Sequence, residues 1–215
     1  MDSSRSEKPS TKQRLIDGVL ATIRGQGITA VSARTVAAAA GTNQALIFYH
    51  FGSVDELVAQ ACVSATEARV ATYRPRFAEV RTVGELLDLG RRIHVEERAE
   101  GNLAVLAQTL AGAQTGGRLA EATREALDKW VVEVQATLER VLAGSPLTEF
   151  ADPAGLARAV SAGFLGLTLF ESVDPDGGEQ ALEALARLAA LVDVVEGLGP
   201  VATRAVRAKL RKTKR

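Results

Sequence analysis

The stretch that most constrains the fold of this chain is residues 32–56, SARTVAAAAGTNQALIFYHFGSVDE, which has the pattern of two very short helices followed by a third helix start. Val36, Ala37 and Ala40 fall at i, i+1 and i+4, so the first helix has a narrow apolar stripe of small residues that another helix can cross closely. Gly41 then ends this helix, because glycine adopts a positive φ without a Cβ penalty. The stretch therefore predicts two short helices joined by a tight turn.

The second short helix is predicted at residues 44–50. Asn43 precedes it as an N-cap, since its side-chain oxygen can accept a backbone N–H of the first turn. This is the pattern of a helix-turn-helix, in which one helix braces a second that enters the DNA major groove. A generic alanine-rich hairpin has the same spacing, but the flanking residues favour the motif. Phe51 is an apolar plug, Gly52 breaks the helix, and residues 53–56 form a capping box for the next helix.

With these features, residues 11–60 resemble the TetR family of bacterial transcriptional repressors. That family has a small-residue helix, a glycine turn, a short helix with an aromatic end, a phenylalanine and a capped helix in this order. Two positions depart from the pattern: Phe48 replaces a common tyrosine, and Val54 replaces a common lysine. Because Val54 carries no charge, we expect a shallower salt dependence of DNA binding than in a relative that has the lysine.

Residues that read bases must be exposed and polar near the start of the second short helix. Gln44 qualifies because its amide can pair with the edge of adenine. Asn43 qualifies too, but the cap is its favoured role. The resemblance implies contacts of Tyr49 and His50 with the DNA backbone, although His50 is alternatively a structural histidine. The predicted DNA-contacting residues are Ser32, Arg34, Thr35, Thr42, Asn43, Gln44, Tyr49 and His50.

The net charge of zero conceals an uneven distribution. Residues 1–50 carry six Lys and Arg against three Asp and Glu, residues 51–203 carry 13 against 23, and residues 204–215 carry seven against none. Phosphate repels an acidic body, so a nucleic acid has to face the N-terminal part. The basic residues there are candidates for phosphate or minor-groove contacts or for a solvated terminus; they are Arg5, Lys8, Lys12 and Arg14. The basic tail favours a solvated end over a DNA contact.

Helical periodicity continues along the chain and no strand alternation persists, so the predicted fold is all-α. The first helix is predicted at residues 11–24, and the helix from Val54 is predicted to stop at Tyr73, before Pro75. The resemblance implies a three-helix helix-turn-helix domain followed by a larger ligand-binding and dimerisation domain. The predicted bounds are 9–55 for the DNA-binding domain, 56–200 for the larger domain and 201–215 for the basic tail.

The last two long helices have the pattern of an interface. Asp152 and Pro153 start a helix that extends to Ser172, and residues 159–170 within it carry no charge. The final helix, predicted at residues 178–197, presents Leu182, Leu185, Ala189, Val192 and Val195. Two such helices bury more apolar surface when they meet their copies in a four-helix bundle, and the alternative is an intrachain core. A homodimer also suits a palindromic DNA site.

The resemblance implies a small-molecule site among the central helices. It also implies that binding of a ligand there changes the distance between the two helix-turn-helix domains of the homodimer. The candidate lining residues are Tyr73, Phe77, His94, Gln108, Trp130 and Phe164, chosen as aromatic or polar residues near apolar faces. Each of them is alternatively a plain core residue, and His94, close to Glu96 and Glu97, is alternatively solvated. The acidic excess favours a neutral or cationic compound over a polyanion.

Composition and motifs restrict the remaining classes of protein. A single cysteine, Cys62, excludes an intramolecular disulfide and fits a reducing cytoplasm. The first residues lack the apolar run of a signal peptide, so we expect a cytoplasmic protein. The common nucleotide-binding, hydrolase and metalloprotease motifs are absent, and we expect neither catalysis nor a cofactor. The predicted function is a ligand-responsive, DNA-binding repressor; the alternative is a helical sensor that does not bind DNA specifically.

Overall fold

The structure is a computed structural model that describes residues 9–143, 145, 152–197, 204–205 and 208–209. Arg5, Lys8 and most of the tail lie outside these residues. All regular secondary structure in the described part is helical, which confirms the all-α prediction. The helices are α1 (Thr11–Gln26), α2 (Ala33–Ala39), α3 (Ala45–Phe51), α4 (Val54–Glu79), α5 (Val83–Ala99), α6 (Asn102–Ala113), α7 (Gly117–Val141), α8 (Pro153–Glu171) and α9 (Pro175–Glu196).

The described residues form two compact units. The first contains the chain up to Glu67 together with Gly101–Ala126, and the second contains Ala68–Glu100 together with the described residues from Leu127 onward. Helices α1, α2, α3 and α6 thus belong to the first unit, while α5, α8 and α9 belong to the second. The long helices α4 and α7 each contribute to both units.

The core of the first unit is built on the predicted apolar stripe of α1. Leu15, Val19 and Ile23 on this stripe are fully buried. They belong to one cluster with Val36 of α2 and Ile47 of α3. The stripe recurs every four residues, so it stays on one side of the helix and packs against both short helices.

A glycine in α1 allows α2 to approach closely. A Cβ atom built on Gly18 would lie 3.0 Å from the carbonyl oxygen of Val36 and 3.1 Å from the Cβ atom of Ala40. The small residues of α2 therefore have a counterpart on α1, and both sides of the crossing lack bulk. Helix α1 extends to Gln26 and ends at Gly27, two residues beyond the predicted end.

The predicted end of α4 is wrong, because the helix continues through Pro75 to Glu79. Proline has no N–H to donate to the carbonyl of Ala71, one turn earlier. Both Ala71 and Pro75 are exposed, so water can satisfy that carbonyl. Tyr73 and Phe77 on either side of the proline are buried in the core of the second unit. Their burial stabilises the helix across a residue that sequence rules treat as a stop.

The second unit has a core of aromatic and aliphatic residues from α4, α5, α7 and α8. Leu89 and Ile93 of α5 are buried there together with Val134 and Leu138 of α7. Helix α9 packs against both α5 and α8. Among the described helices, α8 has the length and the apolar composition to cross a membrane, with a mean hydropathy of 1.3. Core helices of globular proteins meet the same criterion.

Candidate nucleic-acid interface

The turn between α2 and α3 is a complete glycine C-cap. Gly41 has a φ of 58° and donates its N–H to the carbonyl oxygen of Ala38 at 3.2 Å. Thr42 donates its N–H to the carbonyl oxygen of Ala37 at 2.9 Å. These two bonds define a Schellman motif, which satisfies carbonyls that a helix end leaves open. The predicted role of Gly41 is therefore confirmed, and the direction in which the chain enters α3 is fixed.

Arg14 of α1 holds the same turn from the side. Its guanidinium donates to the carbonyl oxygen of Ala40, at 2.8 Å from Nη2 and 3.2 Å from Nε, and to the carbonyl oxygen of Gly41. A sequence-based interpretation groups Arg14 with the phosphate-binding candidates and misses this role. Lys12, two residues earlier, lies over the ring of Phe51 with its Nζ 5.4 Å from the centroid.

The start of α2 is closed by a capping box that the sequence analysis did not identify. The Oγ of Ser32 accepts the N–H of Thr35 at 3.2 Å, and the Oγ1 of Thr35 accepts the N–H of Ser32 at 2.9 Å. Thr35 also donates its hydroxyl to the carbonyl oxygen of Ala30 at 2.8 Å. Both hydroxyls thus order the start of the bracing helix. The neighbouring Arg34 is exposed.

Asn43 takes the capping role favoured by the sequence. Its Oδ1 accepts the N–H of Ala45 at 2.9 Å, and α3 begins at Ala45, one residue later than predicted. Gln44, between these two residues, is exposed, and Thr42 is half-buried. The amide of Asn43 is therefore used by the backbone, whereas Gln44 keeps its amide at the surface.

Helix α3 has one buried side and one open side. Ile47 and Phe51 anchor it in the core of the first unit. On the open side, the exposed fraction is 81% for Tyr49 and 53% for Phe48. His50 is half-buried, and its ring meets the Tyr49 ring edge-on at 4.9 Å. The helix thus presents an outward face, as a helix that enters a major groove has to do.

The start of α4 shows half of the predicted capping box. The Oγ of Ser53 accepts the N–H of Glu56 at 3.1 Å, as predicted. The Glu56 carboxylate instead accepts hydrogen bonds from Arg118 at 2.8 Å and from Gln60 at 2.9 Å. These bonds, with Arg118 the larger influence, lower the pKa of Glu56. The pair joins α4 to α7 within the first unit.

Five of the six predicted ligand-binding residues lie together in the second unit. The centroid of the Trp130 ring lies 6.0 Å from that of the Tyr73 ring and 6.4 Å from that of the Phe77 ring. The His94 ring meets the Phe164 ring edge-on at 5.4 Å. These residues belong to, or contact, the core of that unit.

Gln108, the sixth predicted ligand residue, has a structural role in the first unit. Its Oε1 accepts the N–H of Ile28 at 2.7 Å and would lie 3.0 Å from a Cβ atom on Gly27. The amide therefore binds the chain directly after α1. Gln108 therefore belongs to a different unit from the other five residues.

The Tyr73 hydroxyl is hydrogen-bonded to three charged side chains. It donates to the carboxylates of Glu97 at 2.8 Å and Glu96 at 3.1 Å, and it accepts from Arg69 at 3.0 Å. Arg69 also pairs with Glu97. Burial, followed by the nearby Glu97 carboxylate, raises the pKa of Tyr73. Only the ring of Tyr73 therefore remains available to line a ligand site.

His94 is buried, with an exposed fraction of 3%, so the solvated alternative is wrong. Its Nε2 lies 2.5 Å from the Glu171 carboxylate, which joins α5 to the end of α8. The Nδ1 of His94 and the Oγ of Ser161 are buried without a hydrogen-bond partner in the described part of the chain. A buried polar atom without a partner is costly, so both atoms are candidates to hydrogen-bond a polar group of a ligand or a water molecule. Sequence spacing carries no signal for Ser161.

Comparisons with known proteins agree with the helix-turn-helix geometry of α2 and α3. Residues 15–61 match the family model of bacterial regulatory proteins of the tetR family. No curated protein matches the chain.

Solved structures extend the similarity beyond residues 15–61. A protein from Rhodococcus sp., classed as a TetR-family transcriptional regulator, superposes with a TM-score of 0.70 at 21% identity over 87% of this chain and 98% of its own. A transcriptional regulator from Streptomyces coelicolor A3(2) gives 0.64 at 25% identity over 84% and 99%. The multidrug binding protein EbrR complexed with imidazole gives 0.62 at 29% identity over 85% and 96%. The family model therefore shows that residues 15–61 resemble the N-terminal region of bacterial regulatory proteins of the tetR family, and the solved structures show that the chain shares the fold of such regulators.

Proposed function

We propose that this protein is a cytoplasmic repressor that binds a palindromic operator as a homodimer and is released by a small molecule. Regulators of this family are typically ligand-responsive, DNA-binding repressors. The observation that carries the proposal is the outward face of α3, with Gln44 and Tyr49 exposed on a helix that Ile47 and Phe51 anchor. This face leaves side chains free for base edges and phosphates.

The proposed DNA-binding domain is residues 9–55, followed by the ligand-binding and dimerisation domain at 56–200 and the basic tail at 201–215. In this assignment Gln44 reads a base and Arg34 and Tyr49 contact the DNA backbone. Ser32, Thr35, Thr42, Asn43 and His50 complete the proposed interface through their positions at the start of α2, in the turn and on α3. Since several of these side chains also order the backbone, their contribution to binding includes positioning.

The homodimer is proposed to form through α8 and α9. A short turn joins these two helices, which pack on each other within the second unit. Of the predicted α9 stripe, Ala189 is buried, Leu182 and Val192 are half-buried, and Leu185 is exposed; the Val195 side chain lies outside the described residues. Large apolar side chains nevertheless point outward on both helices: Leu156, Leu169 and Phe170 on α8, and Leu185, Leu188, Leu191 and Val194 on α9. A surface of this kind is typical of a protein interface.

The effector is proposed to bind among the aromatic residues of the second unit. Tyr73, Phe77, His94, Trp130 and Phe164 provide ring surfaces. The Nδ1 of His94 and the Oγ of Ser161 offer hydrogen-bonding groups that no described residue uses. The acidic balance of residues 51–203 favours a neutral or cationic compound. EbrR, the multidrug binding relative, supports a site for small organic molecules.

The DNA-binding proposal is tested by fluorescence anisotropy of the full chain with a labelled DNA duplex from the region upstream of its own gene. We expect specific binding that weakens linearly on a logarithmic salt scale. The Val54→Lys variant is a useful companion, because a restored phosphate contact should steepen the slope by about 0.9. Binding without a salt slope and without preference over random duplex would favour the non-DNA-binding sensor.

Trp130 is the single tryptophan of the chain and reports directly on the proposed effector site. A panel of neutral and cationic aromatic compounds, with imidazole included, is titrated into the protein while Trp130 fluorescence and duplex anisotropy are followed. A true effector should change both signals over the same concentration range. The His94→Leu variant should weaken this response, and an unchanged response would remove His94 from the site.

A further inference from the structure

Phe48 is a large apolar side chain that the fold leaves at the surface. Its exposed fraction is 53%, whereas Ile47 and Phe51 on the same short helix are buried in the core of the first unit. A single exposed apolar side chain is common, but Phe48 adjoins the exposed Ala45 and Tyr49, and a contiguous exposed apolar patch is typical of a binding surface. The position of Phe48 therefore indicates a surface that is covered when the protein works.

The neighbours of Phe48 identify that surface as the outward face of α3. Gln44 and Ala45 lie four and three residues earlier, which places them beside Phe48 on a helix, and both are exposed. Tyr49 follows with an exposed fraction of 81%. Phe48 is thus in the middle of the face that carries the proposed base-reading residue, and no charged residue belongs to this group of four.

A phenylalanine ring has no group that can hydrogen-bond to a phosphate or to the polar edge of a base. The major groove offers one apolar group, the C5-methyl of thymine, and apolar side chains are known to contact it. Cytosine, adenine and guanine present no methyl group there. The chemistry of Phe48 is therefore matched by thymine alone among the four bases.

We propose that Phe48 is a specificity-determining residue that reads the methyl group of a thymine in the operator. This inference rests on the proposed DNA-binding function. Four residues of helix rise span about 6 Å, so Gln44 and Phe48 face base pairs at most about two steps apart. We accordingly expect the operator to contain an adenine read by Gln44 within about two base pairs of the thymine that Phe48 reads.

Replacing thymine by uracil tests the proposal, because this removes the methyl group and keeps the base pair. The full chain first selects its operator from a pool of random duplexes. Each thymine of the selected site is then replaced by uracil in turn, and the affinity is measured by anisotropy. At the thymine that Phe48 reads, we expect about fourfold weaker binding, the loss that corresponds to one buried methyl group.

Variants of Phe48 attribute this effect to the ring. In Phe48→Ala the thymine-to-uracil ratio at that position should fall to about one, while Phe48→Leu, which stays apolar, should keep most of it. Tyr49→Ala is the matched control: it should weaken binding to both duplexes and leave the ratio unchanged. Circular dichroism of each variant checks that it is folded, as expected for an exposed position.

Three outcomes would contradict the inference in separable ways. If the chain selects no duplex at all, the proposed function fails, and this inference fails with it. If an operator is selected but every uracil duplex binds as well as thymine, only the role of Phe48 is wrong. If Phe48→Ala alters the oligomeric state in sedimentation while the thymine preference persists, the ring belongs to a protein interface instead.

Discussion

The guanidinium of Arg14 in α1 donates hydrogen bonds to the carbonyl oxygen of Ala40, the residue that closes α2. The same group reaches the carbonyl oxygen of Gly41. Two otherwise open carbonyls of a helix end are thereby satisfied by a side chain from another helix. The turn of the helix-turn-helix is consequently held from outside the motif, and the direction of α3 depends on α1.

Replacing Arg14 by lysine should destabilise the protein although the charge is kept. The flat guanidinium fork contacts Ala40 with two nitrogens, and a lysine ammonium cannot reproduce that geometry. We expect a loss of about 1–2 kcal/mol in the free energy of unfolding, measured by urea titration. Arg34→Lys, at an exposed position on α2, is the control and should change this free energy by less than about 0.5 kcal/mol. Equal effects of the two substitutions would contradict a stabilising role for the hydrogen bonds of Arg14 to the turn.

Gly41→Ala should destabilise the turn, because residue 41 has a φ of 58°. A Cβ atom added there would also lie 3.4 Å from Nη2 of Arg14. A left-handed conformation costs a residue with a Cβ atom about 1–2 kcal/mol. Gly25→Ala is the matched control, since that site is helical and has open space. It should raise stability by up to about 1 kcal/mol. Thermal and urea unfolding of both variants measure this contrast, and a neutral Gly41→Ala would show that the turn tolerates a side chain.

Tyr49→Ala and Gln44→Ala should affect DNA binding differently. The phenol of Tyr49 is proposed to contact the backbone, so its removal should weaken binding to specific and random duplex alike, by about tenfold. The amide of Gln44 is proposed to pair with a base, so its removal should mainly reduce discrimination, by about tenfold or more. Competition anisotropy with random duplex separates the two quantities. Unchanged discrimination in Gln44→Ala would remove this residue from the base-reading role.

The double substitution Leu188→Glu and Leu191→Glu should convert the proposed dimer into monomers. Both side chains are exposed on α9, with exposed fractions of 60% and 62%, and carboxylates there would be buried without partners in an interface. We expect at least about a tenfold rise in the dimer dissociation constant, measured by sedimentation velocity. Val132→Glu on α7, with the same exposed fraction of 62%, is the control and should leave the dimer intact. A dimer that survives the double substitution would move the interface elsewhere.

The Glu56–Arg118 pair should make the stability of the first unit sensitive to acid. Because the fold lowers the pKa of Glu56, this carboxylate contributes its full stabilisation above the ordinary carboxyl pKa and loses it as the pH falls through the lowered value. Glu56→Gln should therefore be less stable than wild type at pH 7, with a difference that shrinks below about pH 4.5. Urea unfolding across this range measures it. Glu121→Gln, the more exposed partner of Arg118, should show a smaller difference.

Sequence spacing was sufficient where a structure is decided by neighbouring residues. The α1 stripe from Leu15 to Ile23, the positive φ of Gly41 and the cap of Asn43 all depend on contacts within a few residues. Pro75 defeats the same local rules, because buried Tyr73 and Phe77 on either side outweigh a missing hydrogen bond. Local preference is therefore a guide only when tertiary packing does not oppose it.

Long-range pairs account for most of what the sequence did not show. Gln108 reaches Ile28 across 80 positions, and His94 reaches Glu171 across 77. Helical periodicity does not identify such a partner, because the side chain of Gln108 or of His94 can lie on an exposed face or on a buried face of its helix. The grouping of His94 with Phe164 in the second unit, and of Gln108 with α1 in the first, emerges only when the helices are assembled.

Ile47 and Phe51 attach α3 to the core, whereas other positions of this short helix face outward. Substitutions that alter these anchors disturb the interior, whereas exchanges at the outward positions 44, 45, 48 and 49 leave it untouched. Under the proposed function, operator preference can therefore change without a loss of folding, so duplicated genes of this kind would be free to acquire new targets while the scaffold stays the same.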